Sequence, residues 1–269
     1  MIPNKKIKMN LKLKEKVAIV TGASKGMGNS VCQELLKAGV KVMMVSRNED
    51  ELKKLKRSFI KQNFEADYFA GDVASPNLHK IVIEKTIKRW KTVDILVNNA
   101  GGPPMGSFLE QDDNSWQAAF QTNLMSVIRF TKAVTPYMKK NKWGRIVSIT
   151  SSLAIEPSAL MVLSSTVRAG VSAFTKAVSS ELASDNVTVN VICPGGVLTD
   201  RLKNLILESS KRGEKTYEQI LNESLKEIPA RRFASPKEIA ETILFLVSDK
   251  GSYLTGISLP VDGGLLKSY

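Results

Sequence analysis

One histidine and two cysteines are all that the 269-residue chain offers of the side chains most used to bind transition metals. Cys32 and Cys193 are too few and too far apart for a disulfide framework or a zinc site, and read as small buried hydrophobes of a chain kept in a reducing compartment. His79, in a polar stretch after Pro76, gives no basis for a Ser-His-Asp triad, and no carboxylate or Cys/His cluster has metal-ligand spacing; no metal site is expected. Long apolar runs are also missing. Val42-Met43-Met44-Val45 is typical of the longest, which excludes a bilayer span and a membrane partner. The stretch from Met1 to Lys14 carries Lys5, Lys6, Lys8, Lys12 and Lys14 but no apolar core of a secretory signal, so the cytoplasm is the expected compartment. Met9 is an alternative start, and residues 1–13 are read as a basic extension ahead of the domain.

What remains is a globular composition, 43% hydrophobic and 24% charged, and a length suited to one α/β domain over residues 14–269. The net charge of +13 raises the question of a polyanionic partner. Beyond the lysine-rich tail, however, the positive charges are scattered, and no zinc-finger, helix-turn-helix or RNA-recognition pattern accompanies them. Nucleic acid is not an expected partner.

Short β-rich runs alternate with longer amphipathic segments. Strands are predicted at Val17–Thr21, Lys41–Ser46, Ala66–Ala70, Ile95–Asn98, Arg145–Thr150, Thr188–Cys193 and Ile257–Val261. Their continuous apolar interiors predict a parallel seven-stranded sheet with helices on both faces, a doubly wound α/β architecture. One helix is predicted from about Asp112 to Asn141, on the spacing of Trp116, Phe120, Leu124, Val127, Thr131, Val134 and Met138, with Asp112 and Asp113 as N-terminal helix charges. A second is predicted from about Ser164 to Ser184. Residues 201–232 break the alternation as a polar, helix-prone insertion, placed after a strand's carboxyl end where a substrate lid is expected.

The first strand runs into Thr21-Gly22-Ala23-Ser24-Lys25-Gly26-Met27-Gly28 and then a helix. Glycines at a strand–helix turn let the backbone approach a pyrophosphate, and the helix amino terminus supplies amides and a positive dipole end. The second strand ends in Ser46-Arg47-Asn48, a cation where an NAD site places a ribose-binding carboxylate. With Lys25 on the turn, this predicts NADP(H), held through its 2′-phosphate.

The turn resembles the TGxxxGxG motif of the short-chain dehydrogenase/reductase family. Gly71-Asp72-Val73 resembles that family's adenine-contacting segment, Asn98-Asn99-Ala100-Gly101 its NNAG motif, and Pro194-Gly195-Gly196-Val197-Leu198-Thr199 its nicotinamide-positioning PGxxxT stretch. Leu254-Thr255-Gly256 through Val261-Asp262-Gly263-Gly264 is similar to its carboxyl-terminal signature. The likeness runs in order from about Lys14 to Leu265, and from Thr199 onward it is greatest to 3-oxoacyl-acyl-carrier-protein reductases. It implies a Rossmann fold, an oxidoreductase acting on a small carbonyl or alcohol substrate, and a homodimer or homotetramer packed through the two long helices.

The family's catalytic pattern is an Asn, a Ser, and a Tyr and Lys in YxxxK, with the Tyr thirteen residues after the Ser. Here Asn123 matches the Asn and Ser151 the Ser, with Ser152 as a one-residue alternative. The Tyr and Lys positions hold Ser164 and Arg168, after which Ala169-Gly170-Val171 resumes the pattern. None of the five tyrosines, Tyr68, Tyr137, Tyr217, Tyr253 and Tyr269, has a lysine four residues later. Serine is shorter and a poorer acid than tyrosine, and arginine holds charge without sharing protons. Two readings follow. In one the chain is an oxidoreductase in which Ser151 orients the substrate oxygen, Arg168 the ribose, and the proton comes from water on Ser164 or Asn123, or from Lys211 or Tyr217 of the insertion. In the other it is an NADP(H)-binding sensor or scaffold that has lost catalysis.

Overall fold

The computed structural model describes residues 10–213 and 215–268. Its sheet comprises β1 (Val17–Thr21), β2 (Lys41–Ser46), β3 (Ala66–Ala70), β4 (Ile95–Asn98), β5 (Gly144–Ile149), β6 (Val187–Pro194) and β7 (Ser258–Val261). All pairings are parallel, in the order β3-β2-β1-β4-β5-β6-β7. The predicted doubly wound Rossmann architecture is therefore correct. The chain winds outward to β3, then returns to β4 beside β1, so a crevice opens at the carboxyl ends of β1 and β4, where such sheets bind ligands.

The helices are α1 (Gly26–Lys37), α2 (Glu49–Lys61), α3 (Leu78–Trp90), α4 (Asp113–Phe120), α5 (Ser126–Lys140), α6 (Val162–Leu182), α7 (Asp200–Arg212), α8 (Tyr217–Glu227) and α9 (Pro236–Val247). Alternate residues of the inner strands enter different cores. Ala18, Val20, Val42 and Met44 pack with Leu35 and Leu36 of α1, Leu52 of α2 and Ile243 of α9. Ile19, Met43 and Val45 pack with Val82 of α3 and Phe130 and Val134 of α5. Both faces are covered, which is why these strands carry no polar alternation.

The structure corrects several local expectations. Packing begins before residue 14: Leu13 is buried, Leu11 lies against the same core, and the Leu11 carbonyl accepts from Asp249 N–H. The rest of the expected extension, residues 1–9, lies outside the described residues. The helix predicted over 112–141 is two helices joined by a π-helical turn, Gln121–Met125. Asp112 caps α4, its side chain accepting from Ser115 N–H at 2.8 Å, while Asp113 lies in the first turn. The next long helix begins at Val162 and passes into a 3₁₀ turn, Ala183–Asp185. His79 sits on α3, its ring edge-on to Phe130 with centroids 6.2 Å apart. No helix of the described residues is long and apolar enough to cross a membrane.

Candidate active site

The first strand is tied to the fourth at the head of the crevice. Asn99 N–H donates to Thr21 Oγ1 at 2.8 Å, Thr21 Oγ1 donates back to the Asn99 carbonyl at 2.9 Å, and Asn99 Nδ2 donates to the Gly22 carbonyl at 3.1 Å. Asn98 turns the other way and donates to Ser148 Oγ. This latch fixes the glycine turn against Asn98-Asn99-Ala100-Gly101.

Gly22 and Gly26 occupy the left-handed region, at φ +58° and +56°. Gly28 is needed for space: a Cβ there would stand 2.2 Å from the Gly22 carbonyl oxygen and 2.7 Å from Asn99 Nδ2. Gly28→Ala is therefore expected to cost about 1–3 kcal/mol of overpacking, more than the roughly 1 kcal/mol that alanine gains over glycine in a helix. Thermal unfolding should show a lowered Tm, and dinucleotide titration a loss of binding as the turn opens. Lys25 precedes α1 with an exposed side chain and makes no side-chain cap, so the helix amino terminus is open toward the crevice.

At the end of β2, Ser46 is buried and its Oγ has no hydrogen-bond partner among the described residues. Arg47 beside it is exposed and forms no ion pair among them. Asn48, expected at the cofactor, caps α2 with its side-chain oxygen, accepting from Glu51 N–H at 3.1 Å. Asp72 likewise closes its own turn, accepting from Ala74 N–H, and Val73 packs on the second core. On the opposite wall, Thr199 caps α7 and its methyl would lie 3.4 Å from a Cβ on Gly26. The Pro194–Thr199 segment thus closes over the glycine turn. An isolated bridge pairs Val197 with Ala234, so the two ends of the insertion lie side by side.

The four positions expected to be catalytic, Asn123, Ser151, Ser164 and Arg168, lie around the end of β5. Ser151 is partly exposed and accepts from Leu153 N–H at 3.3 Å, whereas Ser152 is buried. Ser164 and Arg168 form one unit: Arg168 Nε donates to Ser164 Oγ at 3.1 Å, and its Nη1 donates to the Ile149 carbonyl at 3.2 Å. Ser164 is 3% exposed, so its hydroxyl reaches the crevice through Arg168 rather than directly. Burial, then the neighbouring Arg201, draws the Arg168 guanidinium down to about 10, which leaves it cationic at neutral pH. Asn123 lies in the π turn, a distortion common at functional sites. It lines an interior cavity of about 10 Å³ with Thr21, Asn98, Asn99, Thr150 and Arg168, room for the centre of roughly one water.

Sequence reasoning missed Arg201. It stands in the first turn of α7, donates to the Pro103 carbonyl, and reaches the same residue, Gly102, that Arg168 approaches. The available signal is a cation two residues behind the PGxxxT stretch. Lys211 lies on α7 and Tyr217 at the start of α8, the two insertion helices. The insertion is anchored at its far end, where Arg212 donates to Glu110 and to the Met105 carbonyl.

The chain belongs to the short-chain dehydrogenase family, whose profile matches residues 16–209. Among curated relatives it is 33% identical over 257 residues to a 3-oxoacyl-acyl-carrier-protein reductase of Salmonella typhimurium, covering 93% of this chain and 97% of that one. It is 33% identical to an acetoacetyl-CoA reductase of Acinetobacter sp., covering 93% and 98%. Among solved structures, the L-sorbose reductase of Gluconobacter frateurii, complexed with NADPH and L-sorbose, superposes with a TM-score of 0.91 at 31% identity, covering 97% of this chain and all of that one. An NADPH-dependent reductase involved in bacilysin biosynthesis gives a TM-score of 0.89 at 29% identity, covering 94% and 99%.

Proposed function

We propose that this chain is an NADP(H)-dependent oxidoreductase that interconverts a carbonyl and a hydroxyl on a small substrate. The observation that carries the reading is the slot between the glycine turn and Thr199, with Ser151 and Arg168 at the end of β5. The residues present fit the cofactor. Gly28 leaves a cradle that a Cβ would fill, and Ser46 keeps a buried hydroxyl without a partner beside the cation Arg47. Ser24, Lys25 and Met27 of the turn, with Ala100, Gly101, Pro194, Gly195 and Val197, complete the proposed walls.

When bound, the nicotinamide supplies a hydride to the carbonyl carbon. Ser151 donates a hydrogen bond to the substrate oxygen and polarises it. Arg168 keeps the site positive as charge develops on that oxygen, and one of the two N–H groups of its Nη2 reaches the nicotinamide ribose, leaving the other toward Gly102. Ser164 Oγ already accepts from Arg168, so its own proton is free to donate, and a water held by Ser164 or Asn123 delivers the proton that the substrate oxygen takes up. The insertion over 201–232 serves as the substrate lid of a single domain. We further place the protein in the cytoplasm, as a dimer or tetramer packed through α5 and α6.

Ser151→Ala tests the assignment. Loss of the oxygen-polarising donor is expected to lower kcat about 10²-fold with the NADPH dissociation constant unchanged. Undiminished carbonyl reduction would remove Ser151 from the mechanism. The replacement of Tyr and Lys by Ser164 and Arg168 favours a second reading, a cofactor-binding sensor without turnover, which the restoration experiment below separates from the first.

A further inference from the structure

Two guanidinium groups meet over Gly102 without a carboxylate between them. A Cβ on Gly102 would stand 3.3 Å from Nη2 of Arg168, 3.3 Å from Nη2 of Arg201 and 3.5 Å from Nε of Arg201. Two forks from different elements, α6 and α7, therefore end against the same side of one glycine. Part of each fork is already engaged. Nε and Nη1 of Arg168 go to Ser164 and the Ile149 carbonyl, which leaves Nη2, and Nη2 of Arg201 donates to the Pro103 carbonyl, which leaves Nε beside Gly102 without a hydrogen-bond partner among the described residues.

Among the described residues neither arginine forms an ion pair, although Arg89, Arg212 and Arg232 all do. Both are drawn below the ordinary arginine range, first by burial, and Arg168 next by its repulsion from Arg201. Partly buried like charges side by side are costly unless an anion joins them. Glu208 on α7 offsets part of the Arg201 charge through space but makes no contact with it closer than 4 Å.

The cofactor's phosphates are accounted for elsewhere, at the glycine turn and at Ser46-Arg47. Gly102 lies beyond the Asn98–Gly101 segment, on the side of the crevice that the insertion covers. Arg168 is bonded to Ile149, two residues before Ser151, so an anion held over Gly102 sits near the carbonyl that Ser151 orients. A planar carboxylate has two oxygens, one to accept from Nη2 of Arg168 and the other from Nε of Arg201.

The geometry points to a substrate that carries a carboxylate next to its reducible carbonyl, a 2-oxo acid or the matching 2-hydroxy acid, clamped by Arg168 and Arg201. This specificity rests on the reductase reading above. It separates this site from a neutral acyl thioester, which offers no anion near the carbonyl.

The test is calorimetry and NADPH oxidation with pyruvate, 2-oxohexanoate and benzoylformate, each against its methyl ester, using wild type and Arg201→Gln. At least one acid is expected to bind about thirtyfold tighter than its ester. Arg201→Gln should abolish that preference while NADPH affinity stays within about threefold, since the cofactor phosphates lie elsewhere. Equal affinity for acid and ester, a preference that survives Arg201→Gln, no binding by any acid, or displacement of the acid by lower concentrations of inorganic phosphate would each overturn the carboxylate assignment. NADPH binding is measured in the same titrations, and acid binding is repeated without cofactor. Failure of NADPH to bind defeats the reductase reading alone, whereas loss of acid preference defeats the clamp alone.

Discussion

Arg47→Asp is expected to weaken NADPH binding about 100-fold while leaving NADH within about tenfold of its original affinity. The wild-type end of β2 presents a buried hydroxyl without a partner, Ser46, and an unpaired exposed cation. The first carboxylate that follows, Glu49, is already engaged by Lys53 at 3.1 Å and by the Tyr68 hydroxyl at 3.4 Å. Nothing acidic at this point therefore competes for the adenosine ribose. A hydrogen bond from arginine to a phosphate contributes about 1.5–3 kcal/mol, and replacing it with a carboxylate adds repulsion. Together these approach the roughly 2.7 kcal/mol that a hundredfold change requires. Because Arg47 is exposed, the penalty should shrink as ionic strength rises. Fluorescence titrations of both cofactors at low and high salt read all three effects. Equal losses for NADPH and NADH would mean that Arg47 shapes the turn rather than reading the phosphate.

The sheet was legible because both of its faces are covered. Strands such as Val17–Thr21 are apolar from Val17 to Val20 and stand out as continuous apolar runs, and Val17–Thr21, Lys41–Ser46 and Ala66–Ala70 agree residue for residue. The π turn at Gln121–Met125 was not legible, since a single extra residue leaves the three- and four-residue apolar spacing almost intact on both sides. Leu13 was hidden by the lysines around it: one buried residue between charges has no periodicity to read. The glycine turn was readable between strand and helix, whereas the Ser151, Ser164 and Arg168 positions came from the resemblance to the family's motif, counted along the chain. The meeting of Arg168 with Arg201 did not, because the two come together only when α7 folds back over the loop after β4.

Restoring the family's pair by Ser164→Tyr with Arg168→Lys is expected to lower carbonyl reduction about tenfold, not raise it. Ser164 is buried, and a phenol in its place must displace packed neighbours on α6, at a cost of about 1–3 kcal/mol. Lysine at 168 is a point charge on a flexible stem and lacks the planar fork that holds the serine hydroxyl and the Ile149 carbonyl together while keeping Nη2 toward Gly102. The double variant thus gives up an arrangement in which every fixed donor has a partner, and Arg168→Lys alone should lose a similar factor. The opposite outcome is as informative. A positioned acid–base tyrosine is worth about 10²–10⁴ in rate, so a chain that had merely lost its chemistry would recover a gain of that order. Such a gain, measured with the acid that binds best, would establish the wild type as a cofactor-binding sensor and remove Ser164 and Arg168 from any catalytic role.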